Sequence, residues 1–189
     1  MSAVIGQSVP RVDAVGKVTG QTQYPGDIDR PGQLWMKILF AGRPHARIRR
    51  LDTTRAEAAP GVVAVFTARD VPNNEYGLIV ADQPVLCGPG SDKPGADVVR
   101  FVGDQVALVV AETEAQAAAA LKLIDVDWED RPVIADPRAA RQPGVPPVLP
   151  DLEGNVFKHN RIRKGDADAA WTQCDVIVEG EYHTPMQEH

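Results

Sequence analysis

Residues 105–129, QVALVVAETEAQAAAALKLIDVDWE, constrain the fold more than any other stretch of the chain. The block opens with an apolar run, 105–111, of the kind that forms a buried strand. Thr113 and Gln116 then make a T-x-x-Q capping box, the start signal of a helix through the alanine-rich segment. Ala117, Leu121 and Ile124 recur at i, i+4 and i+7, which gives that helix one apolar face. From residue 124 the period drops to two, with Ile124, Val126 and Trp128 inward and Asp125, Asp127 and Glu129 outward. Strand, helix and strand in about 25 residues predict a right-handed βαβ crossover with its two strands parallel. The expected class is therefore α+β, a mixed α/β fold.

Shorter elements precede this block. Residues 33–42 alternate, with Leu34, Met36, Ile38 and Phe40 on one face and Lys37 on the other, and predict a strand. A second strand is expected over 45–51, with Ala46, Ile48 and the stem of Arg50 together. A short helix follows over 53–59, capped from Asp52 or the threonines and ended by Pro60 and Gly61. Residues 62–67 predict a buried strand. Gly and Pro occur 16 times each, and their clusters mark what is not core. Residues 1–19 predict an extended arm that must dock to avoid fraying, 87–97 a mobile surface loop, and 143–153 a proline-rich linker. Between arm and linker, 20–142 form the main domain. After the linker, strands are expected over 157–165 and 175–184, around a short helix begun by Asp166 or Asp168 and holding Trp171. Residues 154–189 are too few for a core of their own and predict the incomplete start of a second domain.

The formal net charge of −6 excludes nucleic-acid binding by bulk charge. No apolar run reaches the ~18 residues of a membrane span, and the first residues lack a signal-peptide core. Cys87 and Cys174, the only cysteines, make neither a disulfide framework nor a CxxC site, which points to a reducing cytoplasm. Three serines, and no G-x-S-x-G, leave a serine hydrolase without support. P-loop, G-x-G-x-x-G and H-E-x-x-H patterns are absent too. Asp125, Asp127 and Glu129 share a strand face and could in principle hold a hard cation, but a solvated face explains them more simply. Arg43, Arg47, Arg49 and Arg50 could bind a phosphate, and again a solvated strand edge is simpler. His183 and His189 would share a face with Gln187 in an extended strand, an unconvincing metal set because an amide is a weak ligand. No metal ligand is assigned.

The order of several segments carries more. R-V-D-A-V-G-K-V-T-G (11–20), with Tyr24 and Asp27, is followed by H-A-R-I (45–48), P-G-V-x-A-V (60–65), residues 67–70, V-R-F-V-G-D-Q-V-A-L-V-V-A-E (99–112), the alanine-rich helix and I-D-V-D-W-E (124–129). In that order they resemble the large, molybdenum-binding subunit of the xanthine dehydrogenase and aldehyde oxidase family. The resemblance implies an a/b hammerhead domain for residues 20–142 and the start of the molybdenum-cofactor domain for 154–189. It also implies that Gln187, in the ending Q-E-H, hydrogen-bonds an oxo ligand of a molybdopterin-type cofactor; Pro185 and Met186 stand where some members have two glycines. The family's general-base glutamate and iron–sulfur cysteines lie in segments that do not match anything here. The expected chain is thus the N-terminal portion of a molybdenum hydroxylase large subunit, acting on purines, aldehydes or N-heterocycles and inactive by itself. Its partners would be the remainder of that subunit and iron–sulfur and flavin subunits or domains. The alternative is a stand-alone hammerhead module with a purely structural role, self-associating through a strand edge at 175–184.

Overall fold

The strand–helix–strand block forms with β5 (Gln105–Ala111), α3 (Glu114–Leu121) and β6 (Asp125–Asp130) in a computed structural model that describes residues 5–78, 80–149, 152–185 and 187. Its two strands are not parallel neighbours. β5 is the centre of a three-stranded sheet, flanked by β1 (Trp35–Phe40) and β3 (Val62–Phe66), while β6 pairs with β2 (Ala46–Asp52) in a second sheet of order β4–β2–β6, where β4 is Val98–Val99. Every pairing is antiparallel. The expected parallel crossover is corrected for a simple reason. Both edges of β5 are already taken, by β1 and β3, so β6 cannot lie beside it, and it completes its backbone hydrogen bonds on β2 instead. The result is a mixed α/β domain with two antiparallel sheets.

Two apolar clusters hold it. In one, Val109 and Ala111 of β5 meet Ala117 and Ala120 of α3 and Ala56 of α2 (Thr54–Glu57). Alanine on the helix lets its backbone approach the sheet closely, and the Thr113 hydroxyl accepts the Gln116 N–H at 3.3 Å to start the helix. In the other, Ala41, Ala46, Ile48, Cys87, Val99 and Val106 lie buried together, with Leu39, Val126 and Trp128 packed on them.

β1 alternates as expected, but its apolar face is not the covered one. Lys37 reaches Glu114 of α3 at 2.5 Å and Leu39 joins the second cluster, whereas Met36 and Phe40 stay exposed. β3 is an edge strand rather than a buried one, and Phe66 is exposed.

The segment 68–97 departs most from expectation. It has almost no regular structure, yet Leu86, Cys87 and Gly88 are buried. Asn74 fixes it: its side-chain amide donates to the Leu86 carbonyl at 2.8 Å and to Ser91 Oγ at 2.9 Å, and its carbonyl accepts the Leu86 N–H at 2.9 Å. Cys87 N–H donates to the Gln105 carbonyl at 2.7 Å, tying the loop to the start of β5. The expected mobile surface loop is instead pinned into the second core.

The arm contains a five-residue helix, α1 (Ala14–Val18); Val12 before it and Val15 and Val18 within it are exposed. After the short helix α4 (Pro137–Ala140) and the linker, α5 (Ala167–Trp171) forms under an Asp166 cap, whose carboxylate accepts the Ala169 N–H at 3.0 Å. Neither strand expected in this region forms. Residues 157–165 and 175–184 run without ladder partners, and Val176, Val178 and Tyr182 are exposed. A helix completes its hydrogen bonds internally; a strand needs a neighbour.

Candidate functional site

The carboxylates of β6 and the arginines of β2 answer each other. Their strands pair with Arg47 opposite Glu129 and Arg50 opposite Asp127. Arg50 bridges Asp125 at 2.6 Å and Asp52 at 3.0 Å, Arg49 pairs with Glu129, and Arg47 reaches Asp97 at 2.7 Å. Arg43 donates to both oxygens of Asp130, at 2.6 and 2.8 Å, and lies 5.3 Å from the centroid of Trp128, a cation–π contact. The Asp125 carboxylate holds the Arg50 guanidinium above its usual range. Asp52 is held below the usual carboxylate range by the Thr54 backbone N–H and then by Arg50. The acidic face that could have held a cation and the basic run that could have held a phosphate thus engage one another. Among the described residues no group of three His, Cys, Asp or Glu side chains is placed to hold a metal ion.

The histidines do not converge. His45 Nδ1 lies 2.6 Å from the Pro132 carbonyl, which puts its proton on Nδ1, and His183 Nε2 lies 3.3 Å from Glu181. His159 is exposed. His189, with Met186 and Glu188, lies outside the described residues, so the shared face of His183, Gln187 and His189 has no structural counterpart. Gln187 itself is exposed. A single neutral amide on an unpaired strand-like tail does not form a cradle for a molybdopterin group, and the described residues of this chain do not by themselves fit one. Cys87 and Cys174 are both free, one buried and one exposed.

A groove of about 690 Å³ runs between the β2–β6 end and the proline-rich segment, lined by His45, Phe101, Arg131, Val133, Pro146 and Val148. Arg100 closes its floor. Its Nε donates to the Val148 carbonyl at 2.9 Å and its Nη1 to the Val98 carbonyl at 3.0 Å, so the proline-rich segment is strapped to the domain. Burial lowers the Arg100 pKa, but it keeps its charge at any ordinary pH.

The sequence did not reveal the Asn74 clamp or the burial of Cys87. Burial pushes the Cys87 thiol up to about 12, with Asp104 adding to the shift. An asparagine two residues after a proline in an aperiodic stretch reads as a turn residue, and only the fold shows that its amide satisfies a buried backbone pair.

Fold and side chains together define a class: a two-sheet α/β scaffold domain followed by an extended segment that has found no sheet to join. A family model described as aldehyde oxidase and xanthine dehydrogenase, a/b hammerhead domain, matches residues 19–132. The chain belongs to that family. It is 39% identical over 180 residues to a probable xanthine dehydrogenase component of Bacillus subtilis, a match covering 95% of this chain and 23% of the relative. It is 33% identical to the nicotinate dehydrogenase large molybdopterin subunit of Eubacterium barkeri, covering 98% of this chain and 42% of that one. The aldehyde oxidoreductase from Desulfovibrio gigas superposes with a TM-score of 0.65 at 34% identity, over 75% of this chain and 16% of that chain. The chain thus spans about a quarter to two-fifths of the curated relatives just named.

Proposed function

We propose that this chain supplies the hammerhead domain, and the opening strand and helix of the cofactor domain, to a molybdenum hydroxylase large subunit. The observation that supports it is the family match over 19–132 in a chain covering only 23% of a relative that is 39% identical to it. The relatives carry names that differ in substrate, xanthine, nicotinate and nicotine among them, so the proposal leaves the substrate at purines, aldehydes or N-heterocycles. The division into an arm (1–19), a domain (20–142), a linker (143–153) and a cofactor-domain opening (154–189) belongs to the same proposal, as does assembly in the cytoplasm with iron–sulfur and flavin units. Among the described residues no helix is long and apolar enough to cross a membrane.

In this reading the tail is the working part. Residues 175–184 carry Val176, Val178 and Tyr182 exposed, an alternating pattern ready to be added as a strand to a sheet contributed by the remainder of the subunit. Adding that strand would carry Gln187 to the cofactor. In the assembled enzyme a molybdenum cofactor would supply the redox chemistry. The Gln187 amide would donate one hydrogen bond to an oxygen on the metal, orienting it without adding charge.

A tagged copy purified from its native host, with intact mass and metal content measured, tests the proposal. The expected result is association with, or continuity into, the molybdenum-binding remainder at near-stoichiometric molybdenum, with Gln187→Ala reducing turnover while leaving the assembly intact. A metal-free homodimer would refute it and leave the stand-alone structural module.

A further inference from the structure

The sheet β1–β5–β3 is sealed by helices on one face, whereas its other face is covered only where Val106 of β5 enters the second core. Register places Met36 of β1 beside Val110 of β5 and Ala64 of β3, and Ile38 beside Leu108 and Phe66. Directly paired residues point to the same side of a sheet, so these six side chains form two apolar rows across three strands. The opposite face of β5 is sealed by the helices, with Ala107, Val109 and Ala111 at 0% exposure. On the face in question even the central strand is incompletely covered: Leu108 and Val110 are half-buried, Met36 is 55% exposed and Phe66 43%. Neither row carries a polar or charged side chain, and the face is the one that the alternation of β1 marks as apolar. Single exposed apolar residues are ordinary, but two full rows of them on a sheet are the mark of an interface.

We infer that this face is the docking surface for the remainder of the large subunit, an obligate apolar contact distinct from the strand-like tail at 175–184. The inference rests on the reading under "Proposed function". The occupant follows from size and chemistry. The same fold accounts for only 16% to 18% of the solved chains it matches, so in those molecules most of the polypeptide lies outside this domain. A face with no charge to fix a register or repel water also suits a permanent apolar partner rather than a transient one.

The test uses this chain and the separately expressed remainder of the large subunit from the same host. Met36→Glu with Phe66→Glu puts two carboxylates on the face at positions exposed in the free chain. Arg55→Glu on α2 alters charge on the covered side of the sheet and serves as control. Circular dichroism of each variant alone establishes that it is folded. In a Met36→Cys chain, mass spectrometry of thiol labelling at position 36 reads the face without adding charge. The expected result is that the double variant binds the remainder at least about tenfold more weakly, because binding would bury unpaired carboxylates. Arg55→Glu should bind as the parent does, and labelling of Met36→Cys should be blocked by the remainder. If the double variant binds equally well, or position 36 labels freely in the complex, the inference fails while parent binding leaves the wider proposal standing. If the parent chain does not bind the remainder, both fail. If the parent is a homodimer that the double variant dissociates, the occupant is a second copy and the inference is overturned.

Discussion

Replacing Asn74 by alanine probes the least regular part of the fold. Asn74 is 5% exposed and Leu86 1%, and the two share a donor and an acceptor in both directions. Without the amide, the Leu86 N–H and carbonyl lose their partners inside the protein. Each orphaned buried group costs about 1–3 kcal/mol, so the substitution should cost roughly 2–6 kcal/mol. The third partner, Ser91 Oγ, is half-buried and can turn to water, so it adds little. With a urea slope of about 2 kcal/mol/M, the midpoint should fall by ~1–3 M. Asn74→Asp sharpens the test. A carboxylate can still accept the Leu86 N–H but cannot donate to the Leu86 carbonyl, so it should be no better than alanine at neutral pH. Equilibrium urea unfolding of the chain, followed by tryptophan fluorescence, reads both. A loss below about 0.5 kcal/mol for Asn74→Ala would refute the reasoning, because it would mean that the loop over 74–91 does not depend on this clamp.

Cys87 titrates at about 12, against an ordinary value of 9.0. The unfolded chain therefore ionises first, and the stability from the buried neutral thiol is complete below about pH 9 and lost as pH rises from 9 towards 12. Cys87→Ala should flatten the alkaline fall in the urea midpoint, and at pH 8 a thiol reagent should modify exposed Cys174 well before Cys87. Gly61 sits at φ +76°, and a Cβ there would meet the Gln116 side chain. Gly61→Ala should destabilise by about 1 kcal/mol or more, read as a lowered urea midpoint. Millimolar calcium should leave the melting temperature unchanged, because Asp125 and Glu129 are engaged by Arg50 and Arg49; a calcium-dependent rise would contradict that pairing.

What could be read from the sequence was what the chain does locally. The Thr113 cap, an apolar face on α3, the alternation of β6 and a helix start at Asp166 or Asp168 are each fixed within a few residues, and the structure reproduces them, with Ala120 rather than Ile124 beside Ala117 on the buried face and Asp166 as the cap. Pairing was not legible in the same way. Nothing within residues 105–129 records that both edges of β5 belong to β1 and β3, so the parallel crossover expected from element order alone was wrong. The Asn74 clamp spans 12 residues with no periodic signal, and the arginine–carboxylate ladder needs the β2–β6 register before either sign of charge has a partner. Of the candidate site, the sequence offered Gln187 alone, from family resemblance rather than from any chemical constellation, and that role belongs to the proposal.

β1, which forms as expected, and residues 175–184, which form no strand, share one physical feature. β1 shows its apolar face to solvent, and residues 175–184 keep a strand's alternation without a strand's hydrogen bonds. In each case sequence records a burial that this chain does not complete. On the reading proposed above, one side of each strand is dry in the assembled protein, where an apolar row stabilises and a charge would cost stability. A chain that functioned alone would be expected to carry charges on Met36, Phe66, Val176 or Val178, as it does at every outward position of β6. It carries them at none. The mismatch between pattern and exposure thus supports the assembled reading over the stand-alone module, independently of the family match. It also makes the two surfaces separable: carboxylates on the sheet face should weaken docking with the tail intact, whereas Val178→Asp should spare docking and selectively remove whatever Gln187 contributes to turnover.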